Sequence, residues 1–467
     1  MREHTTFLRA CGMQNDDTMK YLRASSILLV GVLACSNNPS EEPIDASPSP
    51  DACTTMECAV ADCSLKGMPR TSVSGRVMAP NGTLPLAGAM VYVPLSDPGP
   101  LPEGPRCDRC DAEPLGGSLT QTSTDAFGKF SLQDVPAGMD FPIVVQVGSW
   151  RRIVNVTALA ACQDTALSEE ATRLPRDRSE GDVPRIAVTT GDADALECLV
   201  RKIGIADEEI TTDAGDGRVQ LFVGNGAKQF APTFASQGQF ADAQTLWNDP
   251  AKLATYDIVV LSCEGAQRPQ TKPLTAMQAL HDYADLGGRV FMSHWHNIWL
   301  GGERGHPEHG LADWRTVIDF DFGAAQNEAT QTAIVDRTTP RGETFTQWLA
   351  NVGATTGDTL TIHEPRYTAK RLGSAGVAQQ WLHVDPARST PLGKQSVQDL
   401  VFTTPITANA DERCGKVVFS DMHVSSGSSS KASIPYPTSC STGDLTAQEK
   451  ALAFILFDMS ACVSPIL

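Results

Sequence analysis

Apolar and polar positions alternate with a period of two in four short stretches early in the chain, residues 72–77, 88–93, 128–132 and 142–147. Turn-forming residues bound each of them. That rhythm predicts a small β-sandwich over residues 70–160. Further on the pattern changes. Residues 185–190, 256–262, 289–293 and 416–420 are continuous apolar runs of strand length. Residues 195–203, 275–286 and 445–460 carry helical spacing, and the second of these ends at Gly287-Gly288. Strands buried on both faces and alternating with helices predict a mostly parallel sheet covered on both sides, a doubly wound α/β domain over residues 184–463. Residues 161–183 read as a linker. Residues 36–69 are rich in Ser, Pro, Asp and Glu with few large apolar side chains, which predicts a disordered tether.

Residues 1–35 change the picture by placing the chain in a compartment. From Met19, Lys20 and Arg23 precede a short apolar run that ends at Ala34-Cys35, and polar, turn-forming residues follow. The run is too short to span a bilayer. Asp16 and Asp17 are out of place in a cationic leader, so Met19 is the expected start. Val32-Leu33-Ala34-Cys35 resembles the lipobox of bacterial lipoproteins. This resemblance implies cleavage before Cys35, lipid on its thiol, and, with Ser36 following, sorting to the outer membrane. An ordinary secretory signal cut nearby is the alternative.

The formal charge of −18 repels phosphate backbones and anionic headgroups. Nucleic acid is therefore excluded as a partner, and membrane association is expected only through lipid on Cys35. Eleven cysteines remain besides Cys11 and Cys35, and in an exported chain they are expected to form disulfides, with at least one left over. A Cys414–Cys462 staple is one expectation. Cys53, Cys58 and Cys63 are expected to tie the end of the tether locally.

Val73-Ser74-Gly75-Arg76-Val77, Pro85 to Val93, Thr122 to Phe130 and Val135-Pro136-Ala137-Gly138 resemble the carboxypeptidase-regulatory-like, transthyretin-like sandwich family. The resemblance implies a spacer or binding platform without catalysis. A long Pro/Gly loop carrying Cys107-Asp108-Arg109-Cys110 departs from that family. A zinc half-site needs a second pair of soft ligands and none is nearby, so a disulfide arrangement involving Cys162 is expected and no metal is assigned.

Open parallel sheets place ligands beyond the carboxyl ends of their strands. Here those positions hold Cys263-Glu264, His294-Trp295-His296 and Asp421-Met422-His423. Tyr256 to Leu261, Gly287 to His294 and Gly415 to His423 resemble, in order, segments of the class I glutamine-amidotransferase-like superfamily, its trehalose-utilisation-type members in particular. The resemblance implies a flavodoxin-like fold. Catalytic members keep a cysteine at the strand-end elbow; His294 stands there in this chain, and His423 matches the second catalytic position. A base without its nucleophile cannot run covalent acyl transfer. Cys263 is a poor substitute, because Arg268-Pro269 and Lys272-Pro273 separate it from the next helix. It reads instead as a disulfide partner of Cys198 or as a buried thiol.

The expected function is a cell-envelope lipoprotein whose non-catalytic α/β domain binds a small ligand, carbohydrate among the candidates, through His294, Trp295, His296, His423 and Glu264, without a cofactor. Aromatic faces beside carboxylates are common walls of sugar clefts, and Trp299 and Trp314 lie close by in sequence. The enzyme alternative is a hydrolase or metal-dependent enzyme using His294, His296, His423 and Glu264. A purely structural envelope protein is the third reading. His306-Pro307-Glu308-His309 reads as a solvated loop tip. The sequence leaves the ligand and the oligomeric state open.

Overall fold

A computed structural model of the chain describes residues 55–324, 329–423 and 433–464. The export signal, Cys35 and the tether up to residue 54 lie outside the described residues. No helix among the described residues is long and apolar enough to cross a membrane.

Strands β1 (Ser72–Arg76), β2 (Met90–Val93), β3 (Thr120–Ser123), β4 (Lys129–Gln133), β5 (Phe141–Val147), β6 (Trp150–Val156) and β7 (Asp164–Ala166) form two small sheets, ordered β4-β1-β7 and β3-β2-β5-β6. Alternate residues of each, such as Val73, Leu132, Val91 and Ile143, enter one shared core. The stretch read as a linker is held in place: β7 pairs in parallel with β1, and Cys162 is bonded to Cys63. The Arg173 side chain is buried between Glu170 and Glu180, at 2.7 and 2.9 Å.

The second region contributes β8 (Ile186–Thr190), β9 (Ile210–Thr212), β10 (Val219–Val223), β11 (Ala241–Asp242), β12 (Ile258–Leu261), β13 (Arg289–Ser293), β14 (Ile318–Phe320), β15 (Thr330–Val335), β16 (Thr359–His363), β17 (Ala369–Leu372), β18 (Ala378–Val384), β19 (Ser396–Thr404) and β20 (Gly415–Ser420). Strands β14 and β17 pair as a small ribbon. The remainder make one sheet ordered β11-β10-β8-β12-β13-β20-β19-β18-β15-β16, with β9 beside β10. From β11 to β20 neighbours run parallel; from β20 to β16 they run antiparallel. The expected mostly parallel sheet is therefore only part of a mixed one, since β15 to β19 lack the apolar runs that marked the other strands.

Alternation explains why the parallel strands are apolar throughout. Ile186, Val188, Val260, Phe291 and Val418 face one core, which the helix Ala447–Ser460 covers. Ala187, Val259, Val290, Met292 and Phe419 face another, which the helix Leu274–Asp285 covers. The first core is continuous with that of the small sheets: the Trp150 ring lies 5.3 Å from Phe457, and Trp348 Nε1 donates to the Pro85 carbonyl at 2.6 Å.

The cysteine loop pins the same two regions together. Cys107 bonds to Cys414 and Cys110 to Cys462. This corrects two expectations, since Cys414 and Cys462 do not bond each other and Cys162 takes no part in the loop. Nor is the far end of the tether tied only locally, because Cys63 reaches 99 residues ahead. Cys198 bonds to Cys440, so it is not the partner of Cys263. Cys263 is the free cysteine among the described residues, and it is buried.

Candidate functional site

The strand order sets β12, β13 and β20 side by side, so the residues following each of them meet above the carboxyl edge of the sheet. His294 follows β13 directly, at φ +35°, and opens a single 3-10 turn over His294–Asn297 that leads into the short helix Ile298–Gly301. Positive φ is uncommon for a residue with a side chain, and here it turns the chain sharply from strand to helix. The His294 ring is thereby aimed back at its neighbours. Its Nδ1 lies 3.6 Å from Cys263 Sγ, and its ring centroid is 5.4 Å from that of His423.

All three side chains are sealed. His294 and His423 are each 1 % exposed and Cys263 is 0 % exposed. Burial holds the His294 imidazole well below its ordinary value, with His423 and Arg366 pushing the same way. Burial, followed by Arg366, brings His423 down to about 3. The Cys263 thiol is pushed up to about 12, chiefly by burial. Without a further partner the trio is therefore neutral: two imidazoles and a thiol. His294 Nε2 and both ring nitrogens of His423 have no hydrogen-bond partner among the described residues.

His296 and Glu264, expected beside these residues, are engaged elsewhere. Trp299 Nε1, which can only donate, gives its hydrogen to His296 Nδ1 at 2.9 Å. His296 Nε2–H must then donate to the Ser262 carbonyl, also at 2.9 Å. His296 is a satisfied structural histidine. Glu264 Oε2 pairs with Lys272 Nζ at 2.7 Å, with both side chains buried. Burial pushes the Glu264 carboxyl up and the Lys272 amine down, and their mutual attraction opposes both shifts. Lys272 also lies over the Trp247 ring at 5.1 Å. Trp295 is half-buried, with its ring 4.7 Å from that of His294. Trp299 and Trp314 are core side chains, packed on Trp247 and Phe402. None of the four cavities described among the resolved side chains includes Cys263, His294 or His423 in its wall. His296 and Glu264 are thus committed to other partners, while Cys263, His294 and His423 face one another.

The Glu264–Lys272 pair carries a prediction. Removing one partner of a buried pair strands the other charge, so Lys272→Met is expected to cost about 3–5 kcal/mol, with most of it recovered in Lys272→Met/Glu264→Leu. Denaturant titrations of both variants measure this. A single variant within about 1 kcal/mol of the parent contradicts it.

Of the further polar residues around the trio, Asp421 stands among the strand-end positions read from the sequence and the others do not. Ser293 Oγ donates to Asp194 Oδ2 at 2.5 Å. Asp421 accepts from Thr368 Oγ1 at 2.8 Å and from the Ala369 amide at 2.9 Å, and burial raises its carboxyl to about 6. Asp194 follows β8, so the strand-end rule that found the histidines reaches it too. Arg366 lies in a connection, and Asp399 is an interior residue of β19; neither carries a local signal. His306, Glu308 and His309 form an exposed group at a loop tip, where His309 Nδ1 is 2.8 Å from Glu303 Oε2.

No protein-family model matches the chain, and no curated protein matches it. Among solved structures, the complex of a type II cohesin with an X-module–dockerin from Acetivibrio cellulolyticus is similar at 17 % identity over 27 % of this chain and 79 % of that one, with a TM-score of 0.16. A superposition of that quality bears on neither activity nor ligand.

Proposed function

We propose that this chain is an exported lipoprotein, anchored through Cys35, whose regulatory-like sandwich carries a flavodoxin-like, amidotransferase-like α/β domain that recognises a ligand without covalent acyl chemistry. One observation supports this above the rest: an imidazole, His294, occupies the strained turn after β13, while the nearby thiol of Cys263 is buried and held as the neutral form. A nucleophile must be ionised and reachable to attack a carbonyl. The hydrolase set of His294, His296, His423 and Glu264 gains no support, because two of its members are satisfied elsewhere.

The recognition surface in this reading is the cleft of about 900 Å³ between the two regions, lined by Arg201, Lys202, Asn351, Asp444 and Lys450. Its size lies within the range of small-ligand sites, and its polar lining suits a hydroxylated ligand such as a glycan. The full chain is expected to release neither ammonia from glutamine nor nitrophenol from a nitrophenyl ester. On a glycan array it is expected to bind, and to lose binding in Asn351→Ala/Asp444→Ala, whose side chains are exposed. Ester or amide turnover abolished by Cys263→Ser sinks the non-catalytic reading; binding unchanged in the double variant sinks the assignment of the cleft.

A further inference from the structure

Three adjacent parallel strands each deliver one soft or borderline ligand at the carboxyl edge of the sheet: Cys263 after β12, His294 after β13 and His423 after β20. One ligand atom from each lies within 4.8 Å of the other two. A tetrahedral ion with sulfur at about 2.3 Å and nitrogen at about 2.0 Å sets those donors roughly 3.5 Å apart. The Cys263 Sγ to His294 Nδ1 separation is already 3.6 Å. The donor separations involving His423 lie within 4.8 Å.

The unpartnered nitrogens point the same way. A buried polar atom without a partner costs about 1–3 kcal/mol, and the trio has three such atoms, His294 Nε2 and both nitrogens of His423. A neutral imidazole always carries one N–H and one lone pair, and His423 satisfies neither among the described residues. Contrast His296, two residues beyond His294, with both nitrogens bonded. A cation supplies a partner for the lone pair of one His423 nitrogen, and it converts the thiol to a thiolate ligand. The added charge is reduced by the proton Cys263 gives up, and the Asp194 and Asp421 carboxyls stand close by on the other side of the balance from Arg366.

We propose that Cys263, His294 and His423 form a buried site for a late first-row transition ion of borderline softness, zinc or copper, that ties the ends of β12, β13 and β20 together. One thiolate with two imidazoles suits either ion and disfavours calcium and magnesium, which take oxygen ligands. The exposed His306–Glu308–His309 group is not part of it.

The test uses the full chain purified without chelator. Metal analysis is expected to find one zinc or copper ion retained per chain through dialysis. After stripping, cobalt(II) is expected to restore a thiolate-to-metal charge-transfer band in the near ultraviolet together with visible d–d bands. Cys263→Ser abolishes the charge-transfer band, and His423→Ala weakens binding by more than the roughly 10–100-fold that loss of an outer partner costs such sites. His306→Ala/His309→Ala leaves metal content unchanged. Circular dichroism and thermal melts establish that the variants fold; where one does not, the charge-transfer band of the unsubstituted chain decides. Absence of that band with no retained ion overturns the site. So does an ion kept by both Cys263→Ser and His423→Ala, or one lost from the loop-tip variant.

Discussion

Replacing Cys107, Cys110, Cys414 and Cys462 by serine, which removes both bonds of the loop at once, is expected to lower the free energy of unfolding by roughly 3–5 kcal/mol. The two bonds join residues 307 and 352 positions apart, so they close long loops and restrict the unfolded chain strongly. They are not additive. With one bond intact, the other closes only a few residues of the loop plus the segment holding the last helix, so either single deletion is expected to be milder than the double. Denaturant titration under non-reducing conditions of the two single-bond variants and the double variant measures this. A double variant whose midpoint matches the parent removes the clamp from the account of stability. The cavity of about 540 Å³ lined by the loop lies between the two regions that the bonds hold together.

Asp399→Asn is expected to stabilise the protein, and to do so more as pH rises. Asp399 lies in the middle of β19 opposite Ser420 and is 1 % exposed. Burial raises its carboxyl well above the ordinary value, against a smaller pull down from the Ser420 hydroxyl, and the neighbouring Asp421 pushes it further up. A carboxyl raised in the folded state binds its proton more tightly there than in the unfolded chain. Its favourable contribution is therefore complete below the unfolded value near 3.9 and is lost as pH climbs toward the folded value, at about 1.4 kcal/mol per unit. Asparagine cannot ionise and is free of that loss. Stability of parent and variant at pH 4.5 and 6.5 gives the comparison, and a difference that stays constant or shrinks with pH shows that Asp399 is ionised in the fold.

Much of the architecture was legible from local pattern. The runs at 185–190, 256–262, 289–293 and 416–420 became β8, β12, β13 and β20, and helices formed within a residue or two of their expected ends. Continuous apolar runs could be read because each of those strands is covered on both faces, Ile186 and Val188 against one core and Ala187 against the other. The antiparallel half was not legible. Strand β16 alternates over only five residues, and β19 contains Gln398 and Asp399 in its buried interior, which interrupt any apolar run. Of the site, the rule that ligands gather beyond strand ends located Cys263, His294 and His423. It also gathered His296 and Glu264, which share those strand ends but point into other partners. Whether a histidine is aimed at its neighbour or bonded to a tryptophan three residues on depends on side-chain direction, and spacing does not encode that.

By itself the sequence determined where the chain is extended or helical, which runs are buried on both sides, and that an imidazole stands at the turn after β13. These are local matters, decided by periodicity and by residue type at a position. Tertiary structure alone decided the partners: Cys107 with Cys414, Cys110 with Cys462, Cys63 with Cys162, and Cys263 with two histidines in place of Cys198. Each of those meetings joins residues 31 or more positions apart through the way whole elements pack, as the order β12-β13-β20 brings Cys263 to the two histidines, a property that no short stretch of the chain contains.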